Sequence, residues 1–475
     1  YQNIHLLLPQ GLILPTLIIL SVAVVLWYGI KIILKNTVKS ALLSSFYIFL
    51  FFSYGHVFII IESNFTQEFF VLIHTTLLIS YTIFVILGTY YFVKTNRMLN
   101  DVTRTANVMT IIAISFIILN IGIYNFENYH DDSLEENSNQ VVLGNDLEKT
   151  PDIYYIVMDE YAPLKTLEKF YDYDNSDFIK FLEERGFYVT KNSHSNYAQT
   201  TTSLASTLNM KYLNYLSDVV GSESKDHKIL YQMIGDNVVM RNFKSAGYEI
   251  YSFNSGAWLT QNLDVADENL CTKNENIDFR TLYQLKETSV LKAFDIFIKE
   301  PTSRIFHQEH RDRILCQFDE VVKIKQKTEK PVFVFMHVLS PHDPFVFGPN
   351  GEEVDYKYTF GATEVLGLTP SEEIKAYRDQ VIYLTNVLQQ TVDKLLENSD
   401  SPPIIIIQSD TGPFIISEDI SKEGYHAGRM SIFNAYYFPN EKYYLLYDDI
   451  TPVNSFRIVF DSQFQTNYGL LEDKV

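Results

Sequence analysis

Three apolar runs in this chain end in acid or imidazole. Ile153–Met158 (IYYIVM) leads into Asp159-Glu160, Ile404–Gln408 into Ser409-Asp410-Thr411-Gly412-Pro413, and Val332–Val338 into Leu339-Ser340-Pro341-His342-Asp343-Pro344. A fourth stretch sets Thr200, Thr201, Thr202 and Ser203 ahead of an apolar-periodic segment that reaches Met210. Carboxylates hold divalent cations through oxygen, and a histidine moves a proton or steadies an anion. A hydroxyl cluster at a helix start lies where free N–H groups and the helix dipole stabilise a phosphate. A metal ion beside Thr200 would lower the pKa of its hydroxyl and make it a nucleophile. Each piece also has a plainer reading. An Asp after a strand is a common turn former, and Thr200 alone is a helix cap followed by small packing residues. Three strand ends carrying the same kind of cargo favour the chemical reading.

The elements that must position these residues are short buried strands alternating with helices. Ile153–Met158, Tyr248–Phe253, Val332–Val338 and Ile404–Gln408 are rich in Val, Ile, Phe and Tyr, as strands covered on both faces are. Helical patterns separate them at Ser176–Arg185 (Ser176 as cap, Gly186 as stop), Lys228–Ala246, Arg311–Gln326 and Ser371–Glu397. The alternation predicts an α/β fold, a mostly parallel sheet with helices on both faces and its site at the carboxyl ends of the strands. The tyrosines of FNAYYF and YYLLY, Tyr436 to Tyr447, read as strand packing or as a sugar-stacking face.

The first quarter of the chain is of another kind. Gly11–Leu34, Ala41–Ile61, Phe69–Val93 and Val108–Tyr124 each approach the ~20 residues that cross a hydrocarbon core, and apart from Lys31 near the end of the first they contain no Asp, Glu, Lys or Arg. His56 and His74 are the polar exceptions: each marks an ion path or is a neutral ring bonded to a neighbouring helix. Lys31 closes the first run and Lys35 and Lys39 follow it, and Lys94, Arg97 and Arg104 lie between the third and fourth. The positive-inside rule puts these loops in the cytoplasm, so the fourth run exits outward. The division expected is about four transmembrane spans over 1–126, an acidic linker over 127–150 and an extracytoplasmic domain over 151–475. The chain opens on Tyr1 rather than Met, as expected of a fragment or processed product preceded by a further segment.

A formal net charge of −20 leaves no basic stripe for phosphate backbones and argues against a nucleic-acid partner. The two cysteines, Cys271 and Cys316, fall in the extracytoplasmic part, where they are either bridged or two buried thiols.

The pieces PDIYYIVMDEYA, SNYAQTTTSLAS, FMHVLSPHDPF and IIIIQSDTGP, in this order between Asp152 and Arg457, resemble the alkaline-phosphatase/sulfatase superfamily. The membrane-anchored branch, with lipoteichoic acid synthases and lipid A phosphoethanolamine transferases, is the nearest in layout. The resemblance implies an alkaline phosphatase-like fold and a metal-dependent transfer or hydrolysis at a phospholipid headgroup or envelope phosphodiester, with a glycan or polymer as a further partner. It implies Asp159 and Asp410 as metal ligands, Thr200 as nucleophile and ligand, His342 as a substrate-side histidine, and His426 of EGYHAGR as a phosphate-binding histidine beside Arg429. Thr411 stands where the family's Asp-His-Gly carries its histidine ligand. A hydroxyl is a poor Zn ligand, which favours Mn or Mg over Zn, or a degenerate domain that binds glycan or lipid without turnover. The formylglycine pentapeptide Cys/Ser-x-Pro-x-Arg is absent near Thr200.

Overall fold

Helices that are apolar all round bury themselves in lipid or in a larger core. The computed structural model describes residues 9–62, 70–95, 99–129, 150–221, 227–272, 285–296, 301–354, 369–399, 401–414 and 427–475. The apolar runs form α1 (Pro9–Leu34), α2 (Thr37–Glu62), α3 (Phe70–Lys94) and α4 (Asn100–Tyr129). All four are long and apolar enough to cross a membrane. Val25 is 72% and Ile33 79% exposed within the chain, an arrangement that lipid rather than water stabilises.

The chain divides into two compact units, one of Tyr1–Asn137 with Lys273–Pro301, the other of Ser138–Thr272 with Thr302–Val475. In the helical unit, Tyr54, Phe58, Ile73 and Leu77 of α2 and α3 form a small core with Ala293, a residue far away in sequence. Gly55 lets that segment approach, since a Cβ there would stand 2.0 Å from the Glu287 carbonyl oxygen. His74 contacts a neighbouring helix, as one of its two expected roles requires. It is buried between α2 and α3, its Nδ1 lies 2.9 Å from the Tyr54 hydroxyl, and its ring stacks on Phe58 at 3.9 Å. His56 is exposed.

The other unit is built on a seven-stranded sheet of order β2-β7-β6-β1-β5-β3-β4. Its strands are β1 (Ile153–Met158), β2 (Tyr188–Val189), β3 (Glu249–Phe253), β4 (Glu268–Leu270), β5 (Val332–Val338), β6 (Ile404–Gln408) and β7 (Asn434–Tyr437). β1 runs parallel to β5 and β6, and β3 parallel to β5 and β4. Only the β6–β7–β2 edge is antiparallel, so the expected mostly parallel sheet is mixed at one side.

Alternate residues of β1 feed the two cores. Tyr154, Ile156 and Met158 pack on the helices Ser176–Glu184, Pro301–Val321 and Pro370–Glu397, while Ile153, Tyr155 and Val157 pack on Thr200–Asn209, Val238–Ser245 and Pro452–Gln463. Each fully buried Ile or Tyr contributes about 1.5–3 kcal/mol. Tyr436 is buried strand packing, whereas Tyr444 stands exposed.

Two helix expectations need correction. Lys228–Ala246 is not one helix but two, Lys228–Gly235 and Val238–Ser245, because Gly235-Asp236-Asn237 supplies a stop followed by a cap: the Asn237 side chain accepts from Met240 N at 2.9 Å. The third helix starts at Pro301 rather than Arg311, with proline at a position where its missing N–H costs nothing. Cys271 and Cys316 are bridged. Closing a loop of 45 residues removes unfolded-state entropy equivalent to roughly 4 kcal/mol.

Candidate metal centre and active site

Register brings the acidic residues together. β1 lies between β5 and β6 with Val157 paired to His337 on one side and to Gln408 on the other. Two residues on from that pair, Asp159 and Asp410 leave neighbouring strands at the same level, and parallel strands are only ~4.8 Å apart. Asp159 N donates to Val338 O at 2.9 Å, which fixes where its side chain emerges.

Asp159, His337 and Asp410 each direct a ligand atom to one place, all within 4.8 Å of one another, and all three residues are buried. Asp159 Oδ1, Asp410 Oδ2 and His337 Nε2 have no hydrogen-bond partner among the described residues, and neither does the buried Thr411 Oγ1. Unpaired buried oxygens cost on the order of 1–3 kcal/mol each, and a divalent cation removes that cost. Burial, then the neighbouring Asp410 carboxylate, raises the Asp159 carboxyl well above the ordinary range. Burial lowers His337 to about 4, so its ring is neutral at physiological pH. Its Nδ1 lies 2.8 Å from Thr260 Oγ1, which in turn meets Ser255 Oγ at 2.7 Å. With the Nδ1 proton given to Thr260, the lone pair on Nε2 faces the carboxylates. Two carboxylates and one imidazole suit a divalent metal ion of the Mn or Zn type.

A second layer of charge sits beside this group. Glu160, held at φ +64, forms a buried ion pair with Arg429. Arg429 also donates from Nη1 to Gly412 O at 2.6 Å and from Nε to Ala198 O at 2.9 Å. His342 Nε2 lies 3.7 Å from Glu160 Oε1, and its backbone N donates to Asp159 O at 3.1 Å. Burial opposes charge on His342, but Glu160 and Asp159 outweigh it and raise its pKa well above the usual imidazole range. The two carboxylates thus favour the charged form of His342.

Thr200 is the first residue of the helix Thr200–Asn209, after the extended Gln199. Two contacts hold this helix start against the acidic group. Ser203 Oγ donates to Asp410 O at 2.7 Å, and Ala198 O receives Arg429. Ser195 Oγ reaches the same Asp410 carbonyl at 2.8 Å. Gly412 is required for this packing, since a Cβ there would stand 2.1 Å from Gly428 O.

Of the residues singled out in the sequence, Asp159 and Asp410 face one buried spot, and Thr411, next to Asp410, is buried with its hydroxyl unpartnered among the described residues. His342 joins them through Glu160, and the Thr200 helix is pinned to the Asp410 backbone. His426 lies outside the described residues. His337 escaped the sequence reading because a histidine inside FVFMHV looks like strand core. The i, i+5 pair His337 and His342 around the end of β5 was the available signal.

The family described as Sulfatase matches residues 151–459. No match was found among the curated proteins compared. Among solved structures, the chain resembles the C-terminal periplasmic domain of phosphoethanolamine transferase EptC from Campylobacter jejuni, at 13% identity and TM-score 0.41, covering 68% of this chain and 96% of that one. It also resembles the integral membrane lipooligosaccharide phosphoethanolamine transferase EptA from Neisseria meningitidis, at 13% identity and TM-score 0.41, covering 91% of this chain and 84% of that one. The lipoteichoic acid synthase LtaP from Listeria monocytogenes matches at 12% identity and TM-score 0.38, over 67% of this chain and 73% of that one. With well over half of its length matched by that one family, the chain belongs to the sulfatase family, within the alkaline-phosphatase/sulfatase superfamily.

Proposed function

We propose that this protein is a membrane-anchored, metal-dependent transferase or hydrolase acting on a phospholipid headgroup or envelope phosphodiester through a Thr200 nucleophile. The observation that carries the reading is the set of unpartnered ligand atoms on Asp159, His337 and Asp410, gathered at the carboxyl ends of parallel strands beside the start of the Thr200 helix.

In this reading Asp159, His337 and Asp410 hold a divalent ion, with Thr411 at its margin. Such an ion, when bound, lowers the pKa of a neighbouring hydroxyl and neutralises phosphoryl charge. Thr200 Oγ attacks phosphorus, and the new O–P bond forms as the bond to the leaving alcohol breaks. The Thr200 hydroxyl proton leaves to solvent, His342 gives the leaving alcohol its proton, and it is recharged by the proton of the second hydroxyl in the next step. Arg429, fixed by Glu160 and two backbone carbonyls, orients the helix start that carries Thr200. A second hydroxyl, from water or from an acceptor glycan or polymer, then attacks the phosphothreonine and returns Thr200 to its free form. His426 is a further candidate for holding the phosphoryl oxygens. The four apolar helices confine the reaction to the membrane surface, where a lipid substrate is concentrated, and the positive-inside bias supports a catalytic unit outside the cytoplasm.

Thr200→Ala should abolish phospholipid headgroup release by the full chain in vesicles, by at least about a thousandfold, and should abolish the phosphothreonine adduct seen by mass spectrometry. Headgroup release that survives the substitution overturns the assignment. Thr411, in the place of the family's histidine, supports one other reading, a glycan- or lipid-binding domain without turnover. Purified protein that holds no divalent metal and shows no effect of Asp159→Ala would select it.

A further inference from the structure

We propose that an open surface cleft of about 490 Å³ on the sheet-containing unit binds a neutral, polyhydroxylated ligand such as a glycan segment. Its volume lies within the range of small-molecule sites. Tyr383, Asn386, Gln389 and Gln390 of the helix Pro370–Glu397, Phe181 of Ser176–Glu184, and Asn350 line most of it. Tyr383, Asn386 and Gln390 stand three and four residues apart and so share one helix face.

The chemistry of this lining is specific. Carboxamides present a donor and an acceptor side by side, which matches vicinal hydroxyls, and aromatic faces take the C–H side of a sugar ring. The four side-chain amides form no hydrogen bond with another protein group among the described residues, so they are available to a ligand. Among the described residues the lining itself holds no cation, and the nearest one, Arg185, is committed to Asp393. Its one carboxylate, Asp393, is held by Arg185 through Nε at 2.5 Å and Nη2 at 3.2 Å. Among the described residues a phosphate or sulfate would find no uncommitted counter-charge there.

The walls are fixed in advance. The Tyr383 ring stacks on Phe347 with centroids 4.5 Å apart, and it lies against Gly351, where a Cβ would stand 2.4 Å from the ring. Arg311 closes the turn by donating to Val346 O at 2.9 Å and Gly351 O at 2.5 Å, with its guanidinium 4.5 Å above Phe347. On the other wall Arg185 lies over Phe181 at 3.4 Å. Rigid aromatic walls reduce the entropy lost on binding.

The same helix connects this cleft with the loop that carries His342, because Gln380 accepts from Val346 N and donates to Pro341 O. From Gln380 to Gln390 the helix rises roughly 15 Å, a span of a few sugar residues. The place of the ligand in the reaction, as the glycan part of a donor or acceptor, rests on the proposed function; the binding itself does not.

The test uses the full chain in a zwitterionic detergent that carries no sugar headgroup. Maltotriose, chitotriose and a sulfated disaccharide are titrated by saturation-transfer NMR. At least one neutral oligosaccharide should bind and the sulfated one should not. Asn386→Ala/Gln390→Ala should weaken binding at least about tenfold, with metal content and turnover of a soluble phosphodiester unchanged. Absence of binding by both neutral sugars, equal binding by the double variant, or equal binding of the sulfated probe overturns the proposal. Sugar binding that persists in a protein with no turnover overturns the enzymatic reading and leaves this site standing.

Discussion

At the scale of the residue, two buried carboxylates face one another across neighbouring strands with free oxygens on both. In the metal-free protein their repulsion works against the fold. Asp159→Asn is therefore expected to raise the melting temperature measured in chelator while eliminating the rise that added Mn²⁺ gives the parent chain. The direction with pH follows from the raised Asp159 pKa. The metal-free fold prefers the protonated acid, so this contribution is complete below the ordinary carboxyl pKa and is lost as pH rises through the raised value. Thermal unfolding in chelator across that range measures it. Asp159, Asp410 and His342 were legible because strand ends are where an α/β sheet presents its chemistry. His337 and the Glu160–Arg429 pair were not, because a strand interior gives no sign of which buried polar atom lacks a partner, and an ion pair across 269 residues leaves no trace in local pattern.

At the scale of the element, the helix Pro370–Glu397 does more than cover the sheet. Its buried Gln380 accepts from Val346 N at 2.8 Å and Phe347 N at 3.3 Å, and donates to Pro341 O at 3.1 Å and His342 O at 3.4 Å. One amide thereby spans both ends of the loop that aims His342. Gln380→Ala should destabilise the fold by about 3 kcal/mol, since it leaves several buried backbone groups unpartnered, and should lower turnover with metal content unchanged. Gln380→Glu, which keeps the acceptor and loses the donor, should fall between the two in chemical denaturation. The main strands were readable to within a residue because buried strands are short and uniformly apolar. The break inside Lys228–Ala246 was missed because apolar periodicity resumes after Asn237, and the cap that interrupts it is a single side chain.

At the scale of the whole molecule, the sequence divides into apolar spans and an alternating α/β part, and that contrast is legible from hydropathy alone. The excursion of 273–301 is not, because its membership is decided by long-range packing on α2 and α3 rather than by composition. It bears on any attempt to make a water-soluble version of the sulfatase-family domain. Cutting the chain ahead of Ser138 discards the surfaces that cover Val290, Ala293 and the Glu287–Lys292 ion pair, so the remainder carries a greasy flap with nowhere to go. Size-exclusion chromatography should find that trimmed protein self-associated. A version with 273–300 exchanged for a short Gly/Ser bridge, still stapled beneath by Cys271–Cys316, should elute as a monomer.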